Sequence, residues 1–413
     1  DLDRISTEIP IVMMHVSGHV GCVNSKALSI ANITSATPNP EGGLIHKDPT
    51  TGEPTGFMEE KAIIKMMYEQ LARMTDEELL EGALRSQTLH FQNGVTTAQD
   101  GCFDETTHRV LKLLQENNLL KIDYYVYPLV DSAHRTLLVG RRSKDQLYDH
   151  HLKIAGAKVY LDGSPQAKTA WLTEPYHIPP EAERSDYCGY PSYESNDKVC
   201  ALFKDCLENG WQVLVHCNGD AALDQFITQY ERAQQETGIT EDLRPVVIHC
   251  QVVREDQLDR MKEIGLRPSF FNDHVLFWGD WHLDSVLGPK RGRRISPLAS
   301  AVKRGMPFTL HQDCPVALPN MILSLHNAVN RKTASGRDIG AEYAVTPLEA
   351  LRAITIYGAY QCFEETTKGS LETDKRADLV VLDNNPLTVS KEDIKGIRVL
   401  QTYKDGVLVY QAE

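Results

Sequence analysis

The chain has 413 residues, a length that suits one large domain with a smaller one beside it. Its apolar fraction of 41% and charged fraction of 24% are those of a globular protein with a sizeable core. The net charge of −14 argues against nucleic acid or an anionic membrane as main partner, and no apolar run approaches the ~20 residues that span a bilayer. The nine cysteines are scattered, with no C-x-x-C pair, which fits reduced thiols and a cytoplasmic location.

Residues 1–58 read as an irregular segment with short strands, opened by the apolar run Ile11–His15 and punctuated by Gly18, Gly21, Gly42, Gly43, Gly52 and Gly56. Helices follow at 59–73 and 76–93, the second with Thr75 as N-cap and Glu78 placed for a capping box. From Gly94 an alternation sets in. Strands are expected at 94–98, 122–130, 154–161, 211–216, 245–249, 266–271 and 307–312. Helices are expected at 106–120, 197–209, 222–237, 254–264 and 297–304, and a later one at 347–359. Strands alternating with helices imply parallel βαβ units. Seven strand openings are one short of a closed (β/α)₈ barrel, and an open doubly wound sheet is the alternative. No G-x-G-x-x-G follows an early strand, so a dinucleotide fold has no support. Beyond 366 the chain turns to short strands around 369–371, 377–383 and 399–410, too few to bury two faces unaided. The expected organisation is therefore an insertion segment (1–58), a barrel (59–365), and part of a small β-sandwich (366–413).

Three apolar strands run into a metal-capable residue: Val213–His216, Val246–His249 and Thr309–Asp313. The C-terminal ends of parallel strands converge on one mouth, so His216, His249 and Asp313 read as ligands of zinc, with iron or manganese as alternatives. One such histidine alone would more often be a packed core residue. Cys217, Cys250 and Cys314 each follow a proposed ligand, and alternation would turn them toward the helices. Lys158 interrupts an apolar strand. It reads either as a lysine reaching a carboxylate such as Asp162, or as a lysine carbamylated to bridge two metals.

The series Lys158, His216-Cys-Asn-Gly-Asp220, His249 and Asp313 resembles the amidohydrolase superfamily, and within it the branch that includes N-substituted formamide deformylases. Ser17-Gly-His19, Gly52-Glu-Pro-Thr-Gly56, Leu161-Asp-Gly-Ser164 and Ala377–Leu382 are similar to that branch, in the same order along nearly the whole chain. The resemblance implies metal-dependent hydrolysis of a C–N bond in a small-molecule substrate. It implies that Lys158 is a carbamylated bridging ligand and that His216 and His249 are ligands. Asp313 would be both ligand and general base, taking a proton from the attacking water and passing it to the leaving nitrogen. His19, Asp162, Trp171, Asn218, Asp220 and His274 are the expected substrate-binding residues. A homodimer is the default assembly.

One departure stands out. The family's first strand ends in His-x-His, and this chain has none. His15 and His19 are four apart, roughly 13 Å on a strand, too far to chelate one ion. The expectation is that a segment carrying the first strand lies outside the residues shown. A relative that has lost the chemistry and serves as a binding or regulatory protein is the rival reading.

Overall fold

The computed structural model describes residues 1–64, 66, 74–180 and 183–413. The helix expected at 59–73 is helical from 61 to 64, and its remainder falls largely outside the described residues.

The first segment is more regular than its glycines suggest. Strands β1 (Val12–Met14), β2 (Val20–Val23), β3 (Gly43–Lys47) and β4 (Pro54–Glu60) form an antiparallel sheet in the order β1-β2-β4-β3. Asn24 organises the turn beneath it. Its Oδ1 accepts the N–H groups of Ile11 and Ala27 while its Nδ2 donates to Ser6 and Ile9, capping the helix Ser25–Ile30. Gly56 is required where β4 passes β2: its φ is +88° and a Cβ there would lie 2.3 Å from the Val23 carbonyl oxygen. Val23, Ala27, Ile45, Met58 and Ile63 give this unit its own apolar centre.

The parallel strands follow. They are β5 (Thr97–Phe103), β6 (Asp123–Pro128), β7 (Leu152–Ile154), β8 (Gly156–Tyr160), β9 (Gln212–Cys217), β10 (Val246–His249), β11 (Arg267–Phe270) and β12 (Thr309–Leu310). They lie in two sheets, β5-β6-β7 and β8-β9-β10-β11-β12. Only Ala155 separates β7 from β8, and the parallel bridge Leu129↔Lys158 joins the sheets there. The seven expected strand positions are all occupied, counting β7 and β8 as one interrupted strand. Among the described residues no strand pairs the free edge of β5 with that of β12.

Alternation decides which side chains meet the helices. Ala157, Val159, Val213, Val215, Cys217, Val247, Phe270 and Leu310 join one core with Phe203, Phe226, Tyr230, Leu258 and Met261 from the covering helices Asn196–Asn209, Asp220–Thr237 and Glu255–Ile264. The opposite parity packs inside, where Tyr125, Tyr127, Leu214, Val246 and Ile248 cluster. No helix among the described residues is long and apolar enough to cross a membrane.

Strands β13 (Leu379–Leu382), β14 (Val399–Lys404) and β15 (Val407–Gln411) form a three-stranded antiparallel sheet. Val380, Val381 and Leu408 on it remain exposed. Val409 and Tyr410 pack against the apolar cluster around Phe91 and Leu114, and a charge network adds to this at the start of β6. Asp123, fully buried at the start of β6, takes Lys368 at 2.5 Å, Lys404 at 3.1 Å, Arg376 at 3.4 Å and His151 at 2.8 Å. His151 is thus a partner in a buried network. Glu364 pairs with Lys153 and Lys368, both at 3.0 Å.

Burial opposes ionisation of Asp123, but Lys368 and Lys404 outweigh it and hold the carboxyl below its usual range. Asp123→Ala would leave Lys368 with Glu364 and Lys404 with Asp378 and Asp405 as remaining anionic partners, and is expected to cost about 1.5–3 kcal/mol in urea unfolding. Because the folded pKa is lowered, this stabilisation is complete above about pH 4 and lost as the pH falls through the folded value. The stability gap to Asp123→Asn should therefore be flat down to about pH 5 and narrow below about pH 4; an undiminished gap near pH 2.5 would contradict the assignment.

Candidate functional site

Strand parity carries most of the inward residues. Lys158 and Tyr160 on β8, His216 on β9 and Ser269 on β11 have the parity opposite to the helix-facing side chains. His249 does not follow this rule. Val247 faces the helices, so continued alternation would send His249 the same way. The backbone turns instead, with φ of +71° at His249 and +48° at Cys250, and the imidazole comes to lie inside, its ring centre 4.6 Å from that of His216. Left-handed backbone at two non-glycine residues costs about 1–3 kcal/mol each and persists where the surroundings impose it. Asp313 is similar. β12 ends at Leu310, so Asp313 lies beyond the strand, in a turn where its own φ is +55°. Alternation has lapsed there, which is why Cys314 is exposed while Cys217 and Cys250 are buried against the helices.

His216 is oriented by Asp162. The Asp162 Oδ1 lies 3.1 Å from His216 Nδ1 and also accepts the Asn218 N–H at 3.0 Å; its Oδ2 accepts the N–H groups of Gly219 at 2.7 Å and Trp171 at 3.2 Å. Gly219 is needed for this approach, since a Cβ on it would lie 1.8 Å from the Trp171 carbonyl oxygen. Burial pushes the Asp162 carboxyl up to about 7, against the pull of those three N–H donors. Asn218 donates to the Gly163 carbonyl at 3.0 Å, and its buried Oδ1 has no partner among the described residues.

His249 is oriented by a residue the sequence reading passed over. His311 Nε2 lies 3.1 Å from His249 Nδ1, and His311 Nδ1 lies 2.9 Å from Ser269 Oγ. A chain of neutral imidazoles satisfies this arrangement, His249 Nδ1–H donating to His311 and His311 Nδ1–H to Ser269. Period-two spacing from Asp313 was the available signal for His311. The His249 Nε2 is then left facing Asp313 Oδ2 at 4.0 Å.

Electrostatics keeps both histidines neutral. Burial lowers His216 and His249 well below the usual imidazole range, and the nearby cation Lys158 adds to the effect. Burial raises Asp313, while Lys158 and His19 pull it down. Lys158 is itself buried, with Nζ 4.7 Å from the centre of the Tyr160 ring, against the backbone of Gly101 on β5.

His19 reaches this group from the antiparallel sheet. Its ring lies 5.6 Å from that of His216 and its Nδ1 is 2.8 Å from Glu60 Oε2. Burial works against a charged His19, but Glu60 outweighs it by charge and hydrogen bond, and the pKa is raised. Glu60, a further residue missed from sequence, is buried, has φ of +50° and accepts the Thr169 hydroxyl. Nothing in its local sequence marked it. His15 stays in an exposed turn, bonded to Ser17 at 2.8 Å.

The remaining candidates divide. His274 is buried between Phe271 and Trp278, 6.2 Å from the His249 ring, with Nδ1 unpartnered among the described residues. Trp171 contributes backbone to Asp162 while its ring is half-buried against the core. Asp220 has another employment. It accepts the Thr173 N–H at 2.9 Å, the Thr173 hydroxyl, and Arg254 at 3.2 Å, which ties the loop after β8 to the helix Asp220–Thr237. Among the described residues, the tightest groupings of metal-type donors lie elsewhere, at Glu105/His108/His134 and Asp123/His151/Asp405.

The family model for the amidohydrolase family matches residues 1–410, and the chain belongs to that family. It is 24% identical to the putative amidohydrolase YtcJ of Bacillus subtilis over 100% of this chain and 76% of that protein. It is 25% identical to N-substituted formamide deformylase of Arthrobacter pascens, over 100% of this chain and 75% of that one. A crystal structure described as an uncharacterized metal-dependent hydrolase from Pyrococcus horikoshii shares the fold, with a TM-score of 0.73 and 24% identity across 92% of this chain and 73% of the other.

Removing the Asp162 carboxylate leaves three backbone N–H groups without an acceptor, at about 1–3 kcal/mol each. Asp162→Ala is expected to lose about 3 kcal/mol or more in chemical denaturation and Asp162→Asn less, because one acceptor oxygen remains. A loss below about 1 kcal/mol for Asp162→Ala would show that the loop holds without it.

Proposed function

We propose that this chain is a metal-dependent hydrolase of C–N bonds, acting on an amide- or formamide-like small molecule. The observation that carries the reading is the pair His216 and His249. Both are buried and neutral, and each has Nδ1 engaged by a dedicated partner, so that Nε2 carries the lone pair; Asn218 Nδ2 lies 3.4 Å from His216 Nε2 and Asp313 Oδ2 lies 4.0 Å from His249 Nε2. A carboxylate or other acceptor behind a ligating histidine is the usual way to fix its tautomer and raise its basicity. The similarity to N-substituted formamide deformylase of Arthrobacter pascens supports the bond class.

The donor set fits a divalent ion. His216, His249 and Asp313 supply two imidazoles and a carboxylate, which suits zinc first and iron or manganese next. Lys158 fits as a fourth member after carbamylation, which would replace a buried cation beside two neutral imidazoles with an anion. The ion, when bound, supplies polarisation of the substrate carbonyl and a more acidic water.

The chain's own residues do the rest. Asp313, at the open end of the group with its side chain 42% exposed, is placed to take a proton from the attacking water and return it to the leaving nitrogen. Asn218 Oδ1 and His274 Nδ1 are buried polar atoms awaiting partners and are assigned to the substrate. His19, held by Glu60, closes the His216 side. A second reading, a binding or regulatory relative without catalysis, is favoured by the spacing of the strand-end donors, since the tightest metal-type groupings among the described residues lie elsewhere.

Zinc is expected to copurify with the protein, and chelation should abolish hydrolysis of N-formyl and N-acyl amines. Asp313→Asn should retain folding and lose about 10²–10⁴-fold in kcat. His216→Ala and His249→Ala should lose the ion. Hydrolysis that survives chelation would overturn the reading, and a metal-loaded chain inert toward such substrates would favour the second.

A further inference from the structure

We infer that Glu105, His108 and His134 form a second, peripheral site for a divalent transition ion, with zinc the best match. The inference is independent of the reading of the strand-end donors. One ligand atom from each residue lies within 4.8 Å of the others, and His134 Nε2 is 3.5 Å from Glu105 Oε2. Ligands held about 2.0–2.1 Å from a tetrahedral ion stand about 3.3–3.5 Å apart, so the Glu105–His134 spacing already matches and rotation of side chains closes the third side.

The three residues come from two different connections. Glu105 and His108 are three apart on the helix Glu105–Glu116 and so are neighbours on one face. His134 comes from the short turn Ala133–Leu138 after β6. Phe103, the buried last residue of β5, sits under both imidazoles, its ring centre 5.6 Å from His108 and 5.7 Å, edge-on, from His134. The backbones are fixed as well. Asp104 accepts the Thr107 N–H at 2.8 Å and Ser132 Oγ accepts the His134 N–H at 3.2 Å.

Charge separates this trio from Asp123/His151/Asp405, the other tight grouping. That one already contains Lys368, Lys404 and Arg376, and a further cation has no place in it. An ion pair between His134 and a Glu105 side chain that is 84% exposed contributes little by itself, so the ion gives the cluster its value. Three protein ligands leave one position for water or an exchangeable anion. The site would clamp the connections after β5 and β6. β5 is the edge strand whose Gly101 lies against Lys158, so occupancy steadies that wall of the candidate active site.

The test is zinc counting on the full chain by equilibrium dialysis. The double variant His108→Ala/His134→Ala should bind one zinc fewer per chain than the unsubstituted protein, with unchanged circular dichroism and unchanged melting in metal-free buffer. Glu105→Gln, which keeps the size of a side chain that is 84% exposed, should weaken the same zinc by at least about tenfold. Equal zinc counts in the double variant and the unsubstituted chain would overturn the inference. If the double variant does not fold, Glu105→Gln decides: zinc held at full affinity overturns the site.

Discussion

The Asp162 carboxylate is the constraint on which the functional end of the molecule depends. It has no solvent of its own and lies between three pieces of chain that would otherwise be independent. These are the loop at Trp171, the end of β9 at His216, and the start of the helix Asp220–Thr237 at Gly219. Because it accepts from all three, the tautomer of His216, the path of the loop after β8 and the placement of Asn218 are one decision rather than three. Asp220 continues the same logic one step outward, joining Thr173 to Arg254.

Much of this was legible in the sequence, and the reasons are physical. Long apolar strands with a polar last residue announce parallel strands and their mouth, so Lys158, His216 and the seven strand positions were readable from period-two patterning. Patterning fails where the backbone leaves the strand. His249 reaches the interior through a left-handed turn, and Asp313 lies past the end of a two-residue strand. His249 lies beside His216 and Asp313 beside His249, yet side-chain alternation is not what brings them there. The same lapse explains the exposed Cys314.

Other parts were out of reach for a different reason. Glu60 and His19 meet across 41 residues, and Lys368 and Asp123 across 245. Nothing local distinguishes Glu60, Lys368 or Asp123 from ordinary surface charges. The antiparallel sheet formed by β1 to β4 was hidden by its glycines, which read as loop although Gly56 marks a close crossing of two strands. The C-terminal sheet keeps several apolar residues exposed, and a charge network at the start of β6 adds to the packing of Leu382, Val409 and Tyr410.

What joins these features is the proposal that two neutral histidines and a carboxylate at the mouth of a parallel sheet hold an ion that activates water. Crystals grown with zinc and measured at the zinc absorption edge address it most directly. An anomalous peak about 2.0–2.2 Å from His216 Nε2 and His249 Nε2, with Asp313 in its coordination sphere, is the predicted result. A map with no peak there, or with zinc only at Glu105, His108 and His134, would contradict it.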